Sequence, residues 1–399
     1  MKRIACFSSL LGIAVIGGSA AMGVDLDNLN GAPAQGPKVA SAMAPVSMEN
    51  PEVSFDSEPE EPERWISGHL VGSWTDGFVS EGSPWSLDEA WMTVQKSVDS
   101  NLPFDIGYRV DALFGRENAQ CYGDGGFDGK WGVSDDGYGA SIYQGYAEIG
   151  LGKLSAKVGK FGTLLGVESF DAAECDFKTH SYQYENEPLT HSGVLFDYAP
   201  GDVLDLNFGL VAGADNSFGN RWGDTGFLFG ATLNLDEHFS IGYASELMQV
   251  HSALGEQRSA QSAGYYELGG EDIADQNEYL QTVSVNLDLA ENLHYTFGTN
   301  YGTMADRATK THRYSQYGFA NYLTHDVNDK LSHSVRYEYY LQKLQTGEKN
   351  EGRFHDLSYA IKYKPCENVY LLPEVRYDWV EAEGKDNGVT GAVAVGVLF

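Results

Sequence analysis

The chain has 399 residues, with 57 Asp and Glu against 26 Lys and Arg, a formal charge of −31 and a pI near 4.5. A balance this acidic excludes a nucleic-acid partner, which needs clustered Lys and Arg to neutralise phosphates, and it disfavours anionic membrane surfaces for the same reason. A mean hydropathy of −0.33 excludes a helical membrane protein, while 47 Gly, 24 Tyr and 19 Phe suit strands joined by turns.

Lys2 and Arg3 precede an apolar run from Ile4 to Ile16, and the small residues Gly17, Gly18, Ser19, Ala20 and Ala21 follow. That order predicts a secretory signal peptide over residues 1–21, with cleavage after Ala21 and an exported product. Residues 22–63 hold Pro33, Pro37, Pro45, Pro51, Pro59 and Pro62 and the acids Glu58, Glu60, Glu61 and Glu63. They offer too little apolar surface to offset the entropy of ordering, so a disordered, acidic, Pro-rich periplasmic linker is expected.

From Trp65 onward the sequence period is two. Near the end, Val389, Gly391, Val393, Val395, Val397 and Phe399 alternate with Thr390, Ala392, Ala394, Gly396 and Leu398. Phe104, Ile106, Tyr108 and Val110 alternate with Asp105, Gly107, Arg109 and Asp111, and Val335, Tyr337 and Tyr339 alternate with Arg336, Glu338 and Tyr340. Alternate residues of a strand share a face, which gives one apolar face. A soluble sandwich alternates in the same way, so the connections must decide. About sixteen strands fit, from near 65–78 to near 389–399, an even number of membrane-crossing length. Short turns follow every even strand and longer loops every odd one, the longest at 116–139, 162–190 and 250–277. A sandwich has no reason to sort its loops this way. The expectation is an all-β, transmembrane antiparallel up-and-down β-barrel over residues 64–399, in the outer membrane of a Gram-negative-type envelope with both termini periplasmic. Phe399, with Val393, Val395 and Val397 before it, resembles the C-terminal signature read by the outer-membrane assembly machinery. That machinery and the lipid bilayer are the expected partners.

Five islands carry a family resemblance. They are Lys157–Phe161; Gly166, Val167 and Glu168; His180, Ser181 and Tyr182; Glu187–Leu195; and Gly209–Gly213 with Asp215 and Asn216. Together with Pro373–Asp378 they resemble the β-barrel porins of the OmpL-like type, although Ala214 stands where that family suggests Trp. The acidic stretch Phe170–Phe177 and the long segment before Tyr138 depart from it. The resemblance implies a pore-forming barrel and leaves the solute open.

In such a barrel one loop commonly folds inward. Loop 162–190 carries Glu168, Asp171, Glu174, Asp176, Glu185 and Glu187 against Lys178 alone, and is the candidate constriction. Arg109, Asp111, Glu148, Lys157, Arg336, Glu338, Glu374, Arg376 and Asp378 are the candidate lumen wall. Acid on the loop facing base on the wall would set a transverse field that selects ions by sign. The alternative is that the loop acids are solvated at the cell surface. The expected function is an outer-membrane porin for passive diffusion of small hydrophilic solutes, cation-preferring because the chain is so acidic. Porins of this kind often form homotrimers, and nothing in the residues establishes one here. A plugged structural or adhesive barrel is the second reading. A barrel hydrolase, suggested by Ser332-His333-Ser334, is the third, though a triad needs convergence in space.

Gly123–Gly129 with Asp135 and Asp136 suits a hard cation by composition but lacks EF-hand spacing, so no metal site is expected, and no cofactor is implied. The expected barrel places Cys121 and Cys175 in external loops and Cys366 in a periplasmic turn. A disulfide, if one forms, would then join Cys121 to Cys175; free thiols are the alternative.

Overall fold

The computed structural model describes residues 64–79, 84–116, 138–215, 224–250, 276–344, 350–381 and 387–399. The expected signal peptide and linker, the Gly123–Asp136 segment and Cys121 lie outside the described residues.

Sixteen strands form one closed antiparallel barrel in which each strand pairs with its neighbours in sequence. They are β1 (Arg64–Gly77), β2 (Trp85–Lys96), β3 (Asp105–Gly115), β4 (Gly139–Leu151), β5 (Leu154–Gly162), β6 (Thr190–Tyr198), β7 (Leu204–Ala214) and β8 (Thr225–Asp236). β9 (Phe239–Val250), β10 (Gln276–Ala290), β11 (Leu293–Asp306), β12 (His312–Asn328), β13 (Leu331–Leu344), β14 (Asn350–Cys366), β15 (Val369–Glu381) and β16 (Gly388–Leu398) complete it. β1 closes the ring on β16 through the register His69–Leu398 to Gly77–Thr390. Closure leaves no strand edge whose backbone groups would be unsatisfied in hydrocarbon.

The two faces divide as the alternation requires. Val389, Val393, Val395 and Val397 of β16 point outward and are exposed, whereas Thr390, Ala392 and Ala394 point inward and are buried. On β3, Ile106, Tyr108 and Val110 face out while Asp111 and Leu113 face in. The outer surface is therefore apolar and the interior largely polar, the inverse of a soluble sandwich. Pro373 has no N–H to donate, and the β14–β15 ladder is interrupted opposite it: pairing runs to Ala360–Glu374 and resumes at Tyr363–Leu371.

Connection lengths follow the expected alternation with exceptions. Residues 97–104 between β2 and β3 outnumber residues 307–311 between β11 and β12. The reason is that β10, β11 and β12 continue past the apolar band as a polar ladder, with Gln276 opposite Asp306 and Ala305 opposite His312.

Candidate functional site

Between β5 and β6 the chain does not stay at the rim. Residues 163–189 pass into the barrel and pack against inward-facing side chains from β1 round to β16. Leu164 and Leu165 join Leu195, Leu228, Met248 and Leu280 in one apolar cluster. Val167, Cys175 and Phe177 pack with Val71, Tyr322, Tyr370 and Leu372 in a second. Phe170, Tyr184 and Leu189 join Trp91, Leu113 and Tyr143 in a third, where the Phe170 ring stacks on Tyr143 at 4.7 Å. Each fully buried large apolar side chain contributes about 1.5–3 kcal/mol relative to exposure, so the loop is firmly seated.

Close approach is possible because the wall is bare where the loop crosses it. A Cβ on Gly298 of β11 would sit 2.9 Å from Val167, and one on Gly318 of β12 would sit 2.7 Å from Gln183.

Apart from a short 3-10 turn at Tyr184–Asn186, the loop has no regular structure to satisfy its backbone, and wall side chains supply the missing partners. Glu338 of β13 accepts the N–H groups of Tyr182 (2.6 Å) and Gln183 (2.8 Å). Glu374 of β15 accepts those of Lys178 (2.6 Å) and Thr179 (2.9 Å) and also the Thr179 hydroxyl. Arg336 donates to the Thr179 carbonyl (2.6 Å), Arg376 to the His180 carbonyl (2.5 Å), and Lys362 to those of Ala173 (3.0 Å) and Cys175 (2.7 Å). The Tyr182 hydroxyl donates to Asp378 (2.8 Å).

Of the six loop acids, Glu185 is exposed, Asp171 and Glu174 are half-buried, and Asp176 and Glu187 are buried. The side chain of Glu168 is also almost fully enclosed. Burial alone would raise the Glu168 carboxyl, but Arg336 at 3.5 Å and hydrogen bonds from His180 and Tyr322 pull it down to about 2. Burial pushes Glu187 up to about 8, against a single hydrogen bond from Asn300 (2.8 Å). Burial likewise raises Glu174 to about 7, with repulsion from Asp171 adding to it. Asp176 is raised by burial and accepts from Thr324 (3.1 Å).

All nine candidate wall residues lie on inward-facing positions, but the loop meets only some of them. Arg336, Glu338, Glu374, Arg376 and Asp378 touch it directly. Arg109 instead pairs with Asp111 (2.8 Å), Lys157 with Asp197 (3.0 Å), and Glu148 accepts from Ser155 (2.7 Å). Where the sequence suggests acid on the loop facing base on the wall, the wall itself carries both signs. Arg336 binds Asp356 (2.9 Å) and Arg376 binds Asp378 (2.7 Å). His69, Glu89, Asp356 and Lys362 were not singled out by sequence reasoning. The available signal was parity: each is a polar residue at an inward position of an alternating segment.

His333 faces the opposite side of β13 from Ser334. It pairs with His325 (3.0 Å), while Ser334 bonds Thr324 inside the barrel, so no Ser/His convergence forms there. Cys175 is buried with its thiol donating to the Ser169 carbonyl (3.1 Å), and Cys366 is an exposed free thiol at the end of β14.

A closed sixteen-stranded barrel, apolar outside and polar inside, with one long loop folded across its lumen, defines the class of porin-like outer-membrane barrels. The chain belongs to the family described as putative beta-barrel porin-2, OmpL-like, whose model matches residues 78–399. No curated protein matches the sequence. Among solved structures, the trimer form of OmpT from Vibrio cholerae is similar with a TM-score of 0.58 at 12% identity, over 85% of this chain and 100% of that one. The outer-membrane channel DcaP of Acinetobacter baumannii gives 0.57 at 11% identity, over 86% and 99%. An anion-selective porin from Comamonas acidovorans gives 0.55 at 8% identity, over 85% and 100%. At such identities these likenesses establish the fold, and the family match establishes an outer-membrane barrel with a general porin role.

Proposed function

We propose that the barrel is a passive diffusion pore for small hydrophilic solutes with a preference for cations, and that loop 163–189 is its constriction. The observation that carries the reading is the loop itself, laid across the lumen of a porin-family barrel and tied to β13–β15. The cation preference rests on the excess of acid. The wall arginines Arg336 and Arg376 are engaged by wall carboxylates and loop carbonyls, while Asp171, Glu174 and Glu185 retain contact with solvent. The reading also includes an exported precursor with a signal peptide over residues 1–21, a linker over residues 22–63 and both termini on the periplasmic side. A homotrimer is included because one similar barrel has a trimer form. The test is the reversal potential across a planar bilayer in a salt gradient. A cation-sided reversal that collapses towards zero when Asp171, Glu174 and Glu185 are replaced by Asn and Gln supports the reading. An anion-sided reversal overturns the charge assignment.

One observation favours a second reading. The loop packs into apolar clusters on opposite walls, as a plug would, and a plugged structural barrel would fold identically and conduct nothing.

A further inference from the structure

We infer that His69, Glu89 and Asp171 form a binding site for a divalent transition-metal ion of zinc type, clamping the inward loop to the barrel wall. The three ligands come from separate segments: His69 from β1, Glu89 from β2 and Asp171 from the loop. Among the described residues they are the His/Cys/Asp/Glu group whose donor atoms converge, all within 4.8 Å of one another. The Nε2 atom of His69 lies 2.9 Å from Glu89 Oε2 and 3.4 Å from Asp171 Oδ1. Bonds of about 2.0–2.1 Å in a tetrahedron put neighbouring donors roughly 3.3 Å apart, a spacing that the two distances from His69 bracket. One imidazole nitrogen with two carboxylate oxygens suits a borderline ion, whereas calcium prefers six to eight oxygens.

The ligands are also held in place from behind. Trp91 lies parallel to the His69 ring, with centroids 5.8 Å apart. The backbone N–H of Ala172 donates to Glu89 Oε2 (3.1 Å) and that of Ala173 to Asp171 Oδ1 (2.9 Å). Such outer contacts fix carboxylates for metal binding. His69 and Glu89 are buried while Asp171 is partly open, which gives water or a solute oxygen a route to complete the coordination. The same contacts without an ion would be a hydrogen bond from His69 Nε2–H shared by the two carboxylates, and the experiment separates the two.

The refolded full-length barrel, stripped with chelator, is titrated with zinc chloride by calorimetry and with cobalt chloride by visible absorption. The expected result is one ion per chain and a tetrahedral cobalt spectrum. Binding should weaken by at least about 10–100-fold in both His69→Ala and Asp171→Asn, the size of effect that even outer-shell losses produce. The loop substitution Asp171→Asn leaves every barrel strand intact, which covers the case that His69→Ala fails to fold. The control His325→Ala/His333→Ala, on the outer face, should bind as wild type. Absence of binding, or binding lost only in the control, overturns the site. Because the readout is binding, it is independent of whether the barrel conducts.

Discussion

Two buried carboxylates of one loop are held in opposite protonation states by their neighbours. Glu168 has a guanidinium and an imidazole beside it and stays ionised, whereas Glu187 has only an amide and is pushed up to about 8. The pH consequence follows from linkage. A carboxyl whose folded pKa is raised favours docking fully below its unfolded value, near 4.5, and this contribution is lost as the pH climbs to about 8. Hydrogen exchange at residues 182–189, corrected for intrinsic rate, is therefore expected to accelerate between pH 5 and 9, and Glu187→Gln should weaken that dependence, with Glu174, raised to about 7, supplying the remainder. Glu168 does not interfere, since its contribution is lost only as pH falls from about 4.5 towards 2. Removing Arg336 should do more. Arg336→Met removes the guanidinium that balances the buried Glu168 and Asp356, and loss of one partner of a buried pair typically costs about 3–5 kcal/mol. Faster tryptic cleavage after Lys178 than in the parent is the expected sign. At Gly166, φ is +84° and a Cβ would lie 2.2 Å from the Glu187 carboxylate, so Gly166→Ala should also loosen the loop by this assay.

At the scale of elements, strands were legible and the loop's attachment to the wall was not. Strands have a period of two, and β16 shows it without interruption, so residue parity alone separates Val393 and Val395 from Ala392 and Ala394. The ends were less legible, because the β11–β12 ladder continues with polar residues where no hydrophobic contrast marks a boundary. Loop 163–189 was identifiable by length and acidity. Its anchoring was not, because Glu338 and Glu374 bind backbone N–H groups, which every residue possesses and no sequence pattern distinguishes. The same holds for Glu89 and Asp171, separated by three strands in the chain and joined only by the loop's re-entry. Since the loop is held by side chains and not by the ladder, it should be separable from the barrel. Replacing residues 166–187 with a short Gly/Ser linker is expected to leave β-sheet circular dichroism and heat-modifiable gel mobility unchanged. Loss of both would mean the barrel needs the loop to close.

For the whole molecule, the hydrocarbon dictates the outside and leaves the inside free to vary. Val375 sits midway along β15 and faces out, 50% exposed. Val375→Arg should lower folding stability in lipid by about 2–4 kcal/mol, the cost at a bilayer midplane, as read by urea titration in vesicles. Inside, polar and charged groups satisfy one another and the loop, which is why a charged interior is compatible with a stable barrel. The central claim, that this interior conducts and that loop 163–189 narrows it, is tested most directly by single-channel conductance of the refolded chain beside the variant shortened at residues 166–187. Stable steps in the parent and clearly larger ones in the variant are predicted. A silent parent with a conducting variant would make the loop a plug, and equal steps in the two would place the constriction elsewhere.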